Sequence, residues 1–358
     1  ADADVMTVTF TADSEAVPTI AGIETMNFNL EAVATAATGG IPGDSAVTFG
    51  LDLDGINGGN VVMDVTKAAS TVTGIAVENV SDGTSITTDL TATRVTVEGN
   101  ADVTLNLTGA TTNLLTLQDG AGDNLTVIGS GSGLLTVTDA NAEEVITITN
   151  PGGGVTVTDL TAVADTLSSL IITAGGAVTI TDSNNIGPVT ATTTTGDMAI
   201  DTGTASTTVT LSTGAGNITV SDAADAVTSL TATATGDADA NAAASDGDIV
   251  VTDAQLAETV TLTATGLINL DNVNAAGTLV LTAGAASTIS RDASDVETIT
   301  IASNSTGATP VTFTSEDGDG TSNGTNDGLV ELDTLNFSGS NSVTFLMPGD
   351  DLLLIQAE

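Results

Sequence analysis

The sequence predicts an all-β fold: a repetitive β-solenoid, resembling a parallel β-helix or β-roll, with about ten residues per half-coil. Three observations lead there. Apolar-Thr-apolar runs recur at nearly constant spacing, turn-forming residues fall between them, and large rings are scarce. The hydrophobic fraction is 41%, yet there is no Trp, no Tyr and only 6 Phe. Core volume must therefore come from Val, Leu, Ile and Ala, which suits a thin, regular interior. Thr and Val are branched at Cβ, which restricts χ1 and favours strands.

The rhythm is clearest mid-chain, where Leu115, Leu125, Leu135, Val145 and Val155 each open an alternating run at even spacing. It continues with more scatter at Leu170, Val178, Val189, Met198, Val209, Ile218 and Leu230. After a longer insertion it resumes at Ile249, Val260, Ile268, Leu279, Ile289, Ile299 and Val311, and upstream Val95 and Val103 belong to the series. Period-two alternation puts Val, Leu or Ile on one face and Thr on the other. The Asp, Gly, Asn and Ser that follow each run are turn formers. Two such units make a coil of about twenty residues, and coils stack roughly 4.8 Å apart. An antiparallel β-sandwich array is the alternative, because its strands recur every ~8–12 residues. Even spacing, similar repeats and few rings favour the solenoid.

All six Phe fall outside the regular tract or at its end: Phe10, Phe28 and Phe49 before it, then Phe313, Phe337 and Phe345. Bulkier flanks are expected to cap the open ends, which would otherwise invite uncontrolled stacking. The expected division is an N-terminal β cap and assembly region at 1–90, a solenoid at 91–315 and a C-terminal cap and assembly region at 316–358. Leu352-Leu353-Leu354-Ile355 reads as a final core strand rather than a membrane anchor. The opening Ala1-Asp2-Ala3-Asp4 fits a processed mature form or a piece of a longer polypeptide.

Charge narrows the function. The chain carries 46 acidic residues against 3 basic ones, Lys67, Arg94 and Arg291, for a net charge of −43. Salt bridges satisfy almost none of these carboxylates, so the compact state repels itself unless salt screens it or cations bind. Nucleic acid is excluded as a partner for want of a basic footprint, and an anionic membrane surface is disfavoured for the same reason. No apolar run is long enough to span a bilayer, so the chain is not expected to be membrane-integral. With 0 Cys there are neither disulfides nor thiolate metal sites.

Oxygen-rich acidic loops are what Ca²⁺ prefers. Asp52, Asp54 and Asn57 surround a turn-forming Gly55. Asp237, Asp239 and Asn241 stand at alternate positions with Asp248 further on, echoing a twelve-residue calcium loop. Ala242, however, takes the place of the bend-making Gly, and Asp replaces the bidentate Glu. Asp317 and Asp319 lie in a third loop, Glu316-Asp317-Gly318-Asp319-Gly320, that leads into Asn323, Asn326 and Asp327. A solvated acidic turn is the competing reading for each.

A second phrase places an acidic residue just before a strand: Glu24-Thr25-Met26-Asn27-Phe28, Glu258-Thr259-Val260-Thr261-Leu262, Glu297-Thr298-Ile299-Thr300-Ile301 and, loosely, Glu144-Val145-Ile146-Thr147. In these phrases the chain resembles bacterial RTX-related proteins, in particular surface-layer (S-layer) proteins exported by type I secretion. The family nonapeptide Gly-Gly-x-Gly-x-Asp-x-apolar-x is present only in degraded form. Its nearest match is Asp119-Gly120-Ala121-Gly122-Asp123-Asn124-Leu125, with Thr213-Gly214-Ala215-Gly216-Asn217-Ile218 weaker. The resemblance implies secretion to the extracellular cell surface and Ca²⁺ held by residues such as Asp119 and Asp123. The degraded nonapeptide argues against a regular calcium ladder.

Catalysis finds little support, and no enzyme is expected. There is no His for acid–base work and no Cys nucleophile, and a Ser nucleophile would lack the usual base. Carboxylate pairs hydrolyse glycosides elsewhere, but the aromatic platforms of sugar sites are missing. The expected function is a structural surface-coat subunit that self-assembles into a lattice or filament stabilised by Ca²⁺, with a surface polysaccharide as a further partner. A calcium-stiffened adhesin or virion fibre segment is the alternative. Ice binding is a remote third, suggested by the pairs Thr136/Thr138, Thr147/Thr149, Thr156/Thr158 and Thr179/Thr181. Thr also simply suits an exposed strand face.

Overall fold

The computed structural model describes residues 4–10, 23–30, 49–52, 59–64, 74–78, 84–88, 93–98, 102–108, 113–118, 123–138, 143–158, 168–181, 187–201, 207–221, 227–236, 247–252, 257–271, 277–284, 288–290, 298–303, 311–314, 334–339 and 343–346. These residues are all-β, without a helix. The chain divides into two compact units, Ala1–Gly187 and Pro188–Glu358.

The strands of the first unit are β1 (Val5–Phe10), β2 (Thr25–Leu30), β3 (Phe49–Asp52), β4 (Gly59–Asp64), β5 (Gly74–Glu78), β6 (Thr84–Thr88), β7 (Thr93–Glu98), β8 (Val103–Leu107), β9 (Asn113–Gln118), β10 (Asp123–Gly129), β11 (Leu135–Thr138), β12 (Glu143–Asn150), β13 (Val155–Thr158), β14 (Ser169–Ala174) and β15 (Val178–Thr181). Those of the second are β16 (Val189–Thr193), β17 (Met198–Asp201), β18 (Thr208–Thr213), β19 (Ile218–Ser221), β20 (Ser229–Ala234), β21 (Ile249–Thr252), β22 (Thr259–Ala264), β23 (Ile268–Asp271), β24 (Thr278–Ala283), β25 (Thr288–Ser290), β26 (Thr298–Ser303), β27 (Val311–Thr314), β28 (Thr334–Gly339) and β29 (Val343–Leu346).

From β2 onward within each unit, the chain alternates between two sheets. In the first unit, β1, β2, β4, β6, β8, β10, β12 and β14 lie in order in a first sheet, and β3 to β15 by odd numbers form a second. The second unit repeats the scheme, with even strands β16 to β28 in its first sheet and odd strands β17 to β29 in its second. Neighbours pair in parallel, as in β10 with β12 and β22 with β24. Parallel neighbours need a crossover connection, and here the crossover is a strand of the opposite sheet. That is a β-solenoid. The solenoid expected from the sequence is thus observed, and its alternative, an antiparallel sandwich, does not occur among the described strands.

The ten-residue rhythm fixes these elements. Leu135, Val155, Val178, Val189, Met198, Ile218, Ile249, Ile268 and Val311 are each the first residue of a strand. Alternation then sorts the side chains. In β14, β18, β20 and β24, buried residues alternate with more exposed ones. Because rungs are in register, equivalent core residues stack. Met26, Val61, Ile86, Leu105, Val127, Ile148 and Ile172 form one continuous column, each no more than 1% exposed. Burying such a side chain contributes about 1.5–3 kcal/mol, so the column is a major source of cohesion between coils.

The parallel pairing also extends on both sides of residues 91–315. β1 pairs with β2, β2 with β4 and β4 with β6, and β26 and β27 pair with β28 and β29. Five of the six Phe lie within these strands, and Phe49 opens β3, which pairs in parallel with β5. Phe313 and Phe345 are in register, as are Ile301 and Phe337. The segment 352–355 lies outside the described residues.

Candidate metal-binding turns

Short turns carry the chain from the first sheet to the second, for example residues 175–177 between β14 and β15 and 214–217 between β18 and β19. Coils approach so closely here that a Cβ at Gly153 would collide with the carbonyl oxygen of Gly133 one coil earlier. Gly247 takes a positive φ of 93°, which L side chains rarely adopt. Backbone carbonyls at this edge need donors, and buried polar side chains supply some of them. Asn150, 2% exposed, donates from Nδ2 to Gly133 O at 3.0 Å and Gly154 O at 2.8 Å. Thr213 donates from its hydroxyl to Gly196 O at 3.1 Å.

Before the successive second-sheet strands β17, β19 and β21 the last turn position is Asp197, Asn217 and Asp248, and there these residues form a ladder. Asp197 Oδ1 accepts the Asn217 N–H at 2.8 Å, Asn217 Oδ1 accepts the Asp248 N–H at 2.9 Å, and Asp248 Oδ1 accepts the Leu267 N–H at 2.7 Å. Each side chain satisfies the backbone of the next coil. The amide of Asn217 also separates the two carboxylates by a rung, which lowers their mutual repulsion. A related link stands at the entry to the first-sheet strands β8 and β10, where Asn124 donates its backbone N–H and its Nδ2 to Asp102 Oδ1 at 2.9 and 3.0 Å.

Two of the Glu phrases are described at the opposite edge. Glu24 and Glu258 precede first-sheet strands and are exposed. Their carbonyls accept the Asn60 and Thr278 N–H groups of the next coil at 2.9 and 3.0 Å. Glu24 Oε2 additionally accepts the Asp4 N–H at 2.8 Å.

Of the predicted calcium ligands, Asp248 is the one whose side chain the structure describes, and it belongs to the ladder. Asp52 closes β3 in register with Glu78 of β5, and Asp123 opens β10 in register with Glu143 of β12. Both thus stand one rung from another acidic residue. Asp54, Asn57, Asp119, Asp237, Asp239, Asn241, Asp317 and Asp319 lie outside the described residues. Among the described residues, no three carboxylates converge on a common point.

Sequence reasoning passed over another acidic series. Thr138, Thr158 and Thr181 are in register on three successive second-sheet rungs, and each is followed in sequence by an Asp: Asp139, Asp159 and Asp182. The signal was present in the phrases Leu-Thr-Val-Thr-Asp, Val-Thr-Val-Thr-Asp and Val-Thr-Ile-Thr-Asp. Asp139, Asp159 and Asp182 themselves lie outside the described residues; the residues in register are the Thr before each of them.

Outward Thr residues also stack. Thr136, Thr156 and Thr179 share one second-sheet column, whereas Thr147 and Thr149 lie in the first sheet on β12. The larger array is on the first sheet of the second unit. Thr190, Thr210, Thr231, Thr261, Val280 and Thr300 form one column there. Beside it run Thr192, Ser212, Thr233, Thr263 and Thr282. No helix among the described residues is long and apolar enough to cross a membrane. Comparison with protein-family models, with curated proteins and with solved structures finds no match to this chain.

Proposed function

We propose that this chain is a non-enzymatic, secreted surface-coat subunit, S-layer-like in role, that self-assembles when Ca²⁺ neutralises its stacked acidic turns. The observation that carries the reading is the coincidence of extreme charge with parallel register. A solenoid returns equivalent residues to neighbouring positions coil after coil. Asp52 with Glu78 and Asp123 with Glu143 repeat an acidic residue on adjacent rungs, and only 3 basic residues in the whole chain oppose 46 acidic ones. Two unit charges roughly 5 Å apart repel by about 0.8 kcal/mol in bulk water, and by more in a lower dielectric. A divalent cation with oxygen ligands removes that repulsion and stiffens the turns it bridges. The same ion held between acidic loops of two copies would join them.

Binding of Ca²⁺ to the folded state alone stabilises it by about 2.7 kcal/mol at a hundredfold excess over Kd. The test is thermal melting with light scattering, in millimolar Ca²⁺, in Mg²⁺ and in chelator. The reading expects a higher melting temperature and reversible assembly specific to Ca²⁺. Identical melting curves and identical scattering in Ca²⁺ and chelator would sink it. A calcium-stiffened adhesin predicts the stabilisation without the assembly.

A further inference from the structure

We infer that the first-sheet face of the second unit is a self-association surface, on which a second copy of this chain packs its own equivalent face. The inference rests on the coat reading for its purpose, but on separate observations for its location. The strands β16, β18, β20, β22, β24 and β26 read VTATT, TVTLST, SLTATA, TVTLTA, TLVLTA and TITIAS, without one charged residue. By contrast, the first sheet of the first unit includes Asp64, Asp123, Glu143 and Glu144, and the second sheet of the second unit includes Asp201 and Asp271. At a net charge of −43, most pairs of surfaces would bring carboxylates together, and like charges facing each other cost several kcal/mol. The strands of this face bring none; in its margin Glu258, exposed, directly precedes β22, and Glu297 holds the same sequence position before β26.

Size and surface chemistry agree. Six rungs about 4.8 Å apart and strands of about six residues at roughly 3.3 Å each give a face of about 29 by 20 Å. Two such faces bury on the order of 1,100 Å², just above the roughly 1,000 Å² expected of a specific interface. Thr210, Thr231 and Thr261 are already half-buried among their neighbours, so little side-chain freedom remains to be lost on docking. Each hydroxyl both donates and accepts, and an identical face presents the same hydroxyl spacing in return.

The contact uses no carboxylate, so it is expected to survive chelator, whereas calcium-bridged arrays are not. Sedimentation velocity in chelator at physiological salt tests this. The expected result is a concentration-dependent monomer–dimer equilibrium. Thr231→Asp with Thr261→Asp should weaken it at least about tenfold, equivalent to about 1.4 kcal/mol. Thr156→Asp with Thr179→Asp, which adds the same charge to the second sheet of the first unit, should leave it unchanged. If the first pair loses its β-sheet circular dichroism, Thr261→Arg, whose long side chain reaches clear of the face, reads the same loss. A wild type that stays monomeric, or a Thr231/Thr261 variant that dimerises like the control, overturns the inference. Thermal hysteresis from monomeric wild type that disappears in the same variant also overturns it, by showing that the face takes an ordered water lattice. Arrays in Ca²⁺ without a dimer in chelator would remove this inference and leave the coat reading standing. A dimer in chelator without arrays in Ca²⁺ would do the reverse.

Discussion

At several turn edges a single amide or carboxylate ties one coil to the next. Asn150 joins the carbonyls of Gly133 and Gly154 from inside the first unit. Asn150→Ala strands both acceptors in a site too tight for easy repair, and a loss of about 1–3 kcal/mol is expected by chemical denaturation. Asn150→Asp should cost more, because it turns a buried donor into a second acceptor. Asp248 separates two roles with one substitution. Asp248→Asn keeps an oxygen for the Leu267 N–H and should change stability in chelator by less than about 0.5 kcal/mol, while Asp248→Ala leaves that N–H unpaired. If Asp248 also binds Ca²⁺, the Asn variant loses part of the calcium-induced rise in melting temperature. The sequence could not distinguish these roles, because an Asp in a Gly-rich turn looks the same whether it faces an ion or the backbone of a neighbouring coil.

At the scale of the strand, alternation was legible because its physical cause is local. Val145-Ile146-Thr147-Ile148-Thr149 sorts its side chains by period two whatever lies beside it. In this strand Ile148→Ala should cost about 2–5 kcal/mol, since Ile148 is fully buried and its column cannot collapse without moving both neighbouring coils. Thr147→Ala, on the outer side of the same strand, should shift stability by less than about 0.5 kcal/mol. Equilibrium unfolding of the two variants checks the alternation directly. The flanks were harder to read, because β1, β2, β4 and β6 are joined through longer and less regular intervals. Their Phe content suggested bulkier capping β regions, and Phe28 and Phe337 sit in strands that pair in the same parallel manner as the rest. Register between coils is a non-local property: that Asp52 meets Glu78 and Asp123 meets Glu143 on adjacent rungs is not legible in either strand alone.

For the whole molecule, a net charge of −43 means that like-charge repulsion opposes both folding and assembly. A solenoid concentrates that repulsion by repeating acidic positions from rung to rung, and it offers the same repetition to a divalent cation. Glu143→Gln, which neutralises the acidic residue one rung from Asp123, should raise the melting temperature in chelator and shrink the further rise on adding Ca²⁺. A fall in chelator would mean that Glu143 makes a stabilising contact instead. Local ladder and global repulsion thus make opposite demands on acidic residues: Asp248 is held by its hydrogen bond to the next coil, while Glu143, one rung from Asp123, is expected to be tolerated only with a counter-ion. Negative-stain imaging of the purified chain, first in millimolar Ca²⁺ and then after chelation, tests the central claim most directly. The account predicts ordered arrays or filaments that disperse in chelator and return when Ca²⁺ is restored. Dispersed particles in both conditions, or arrays indifferent to chelator, would contradict it.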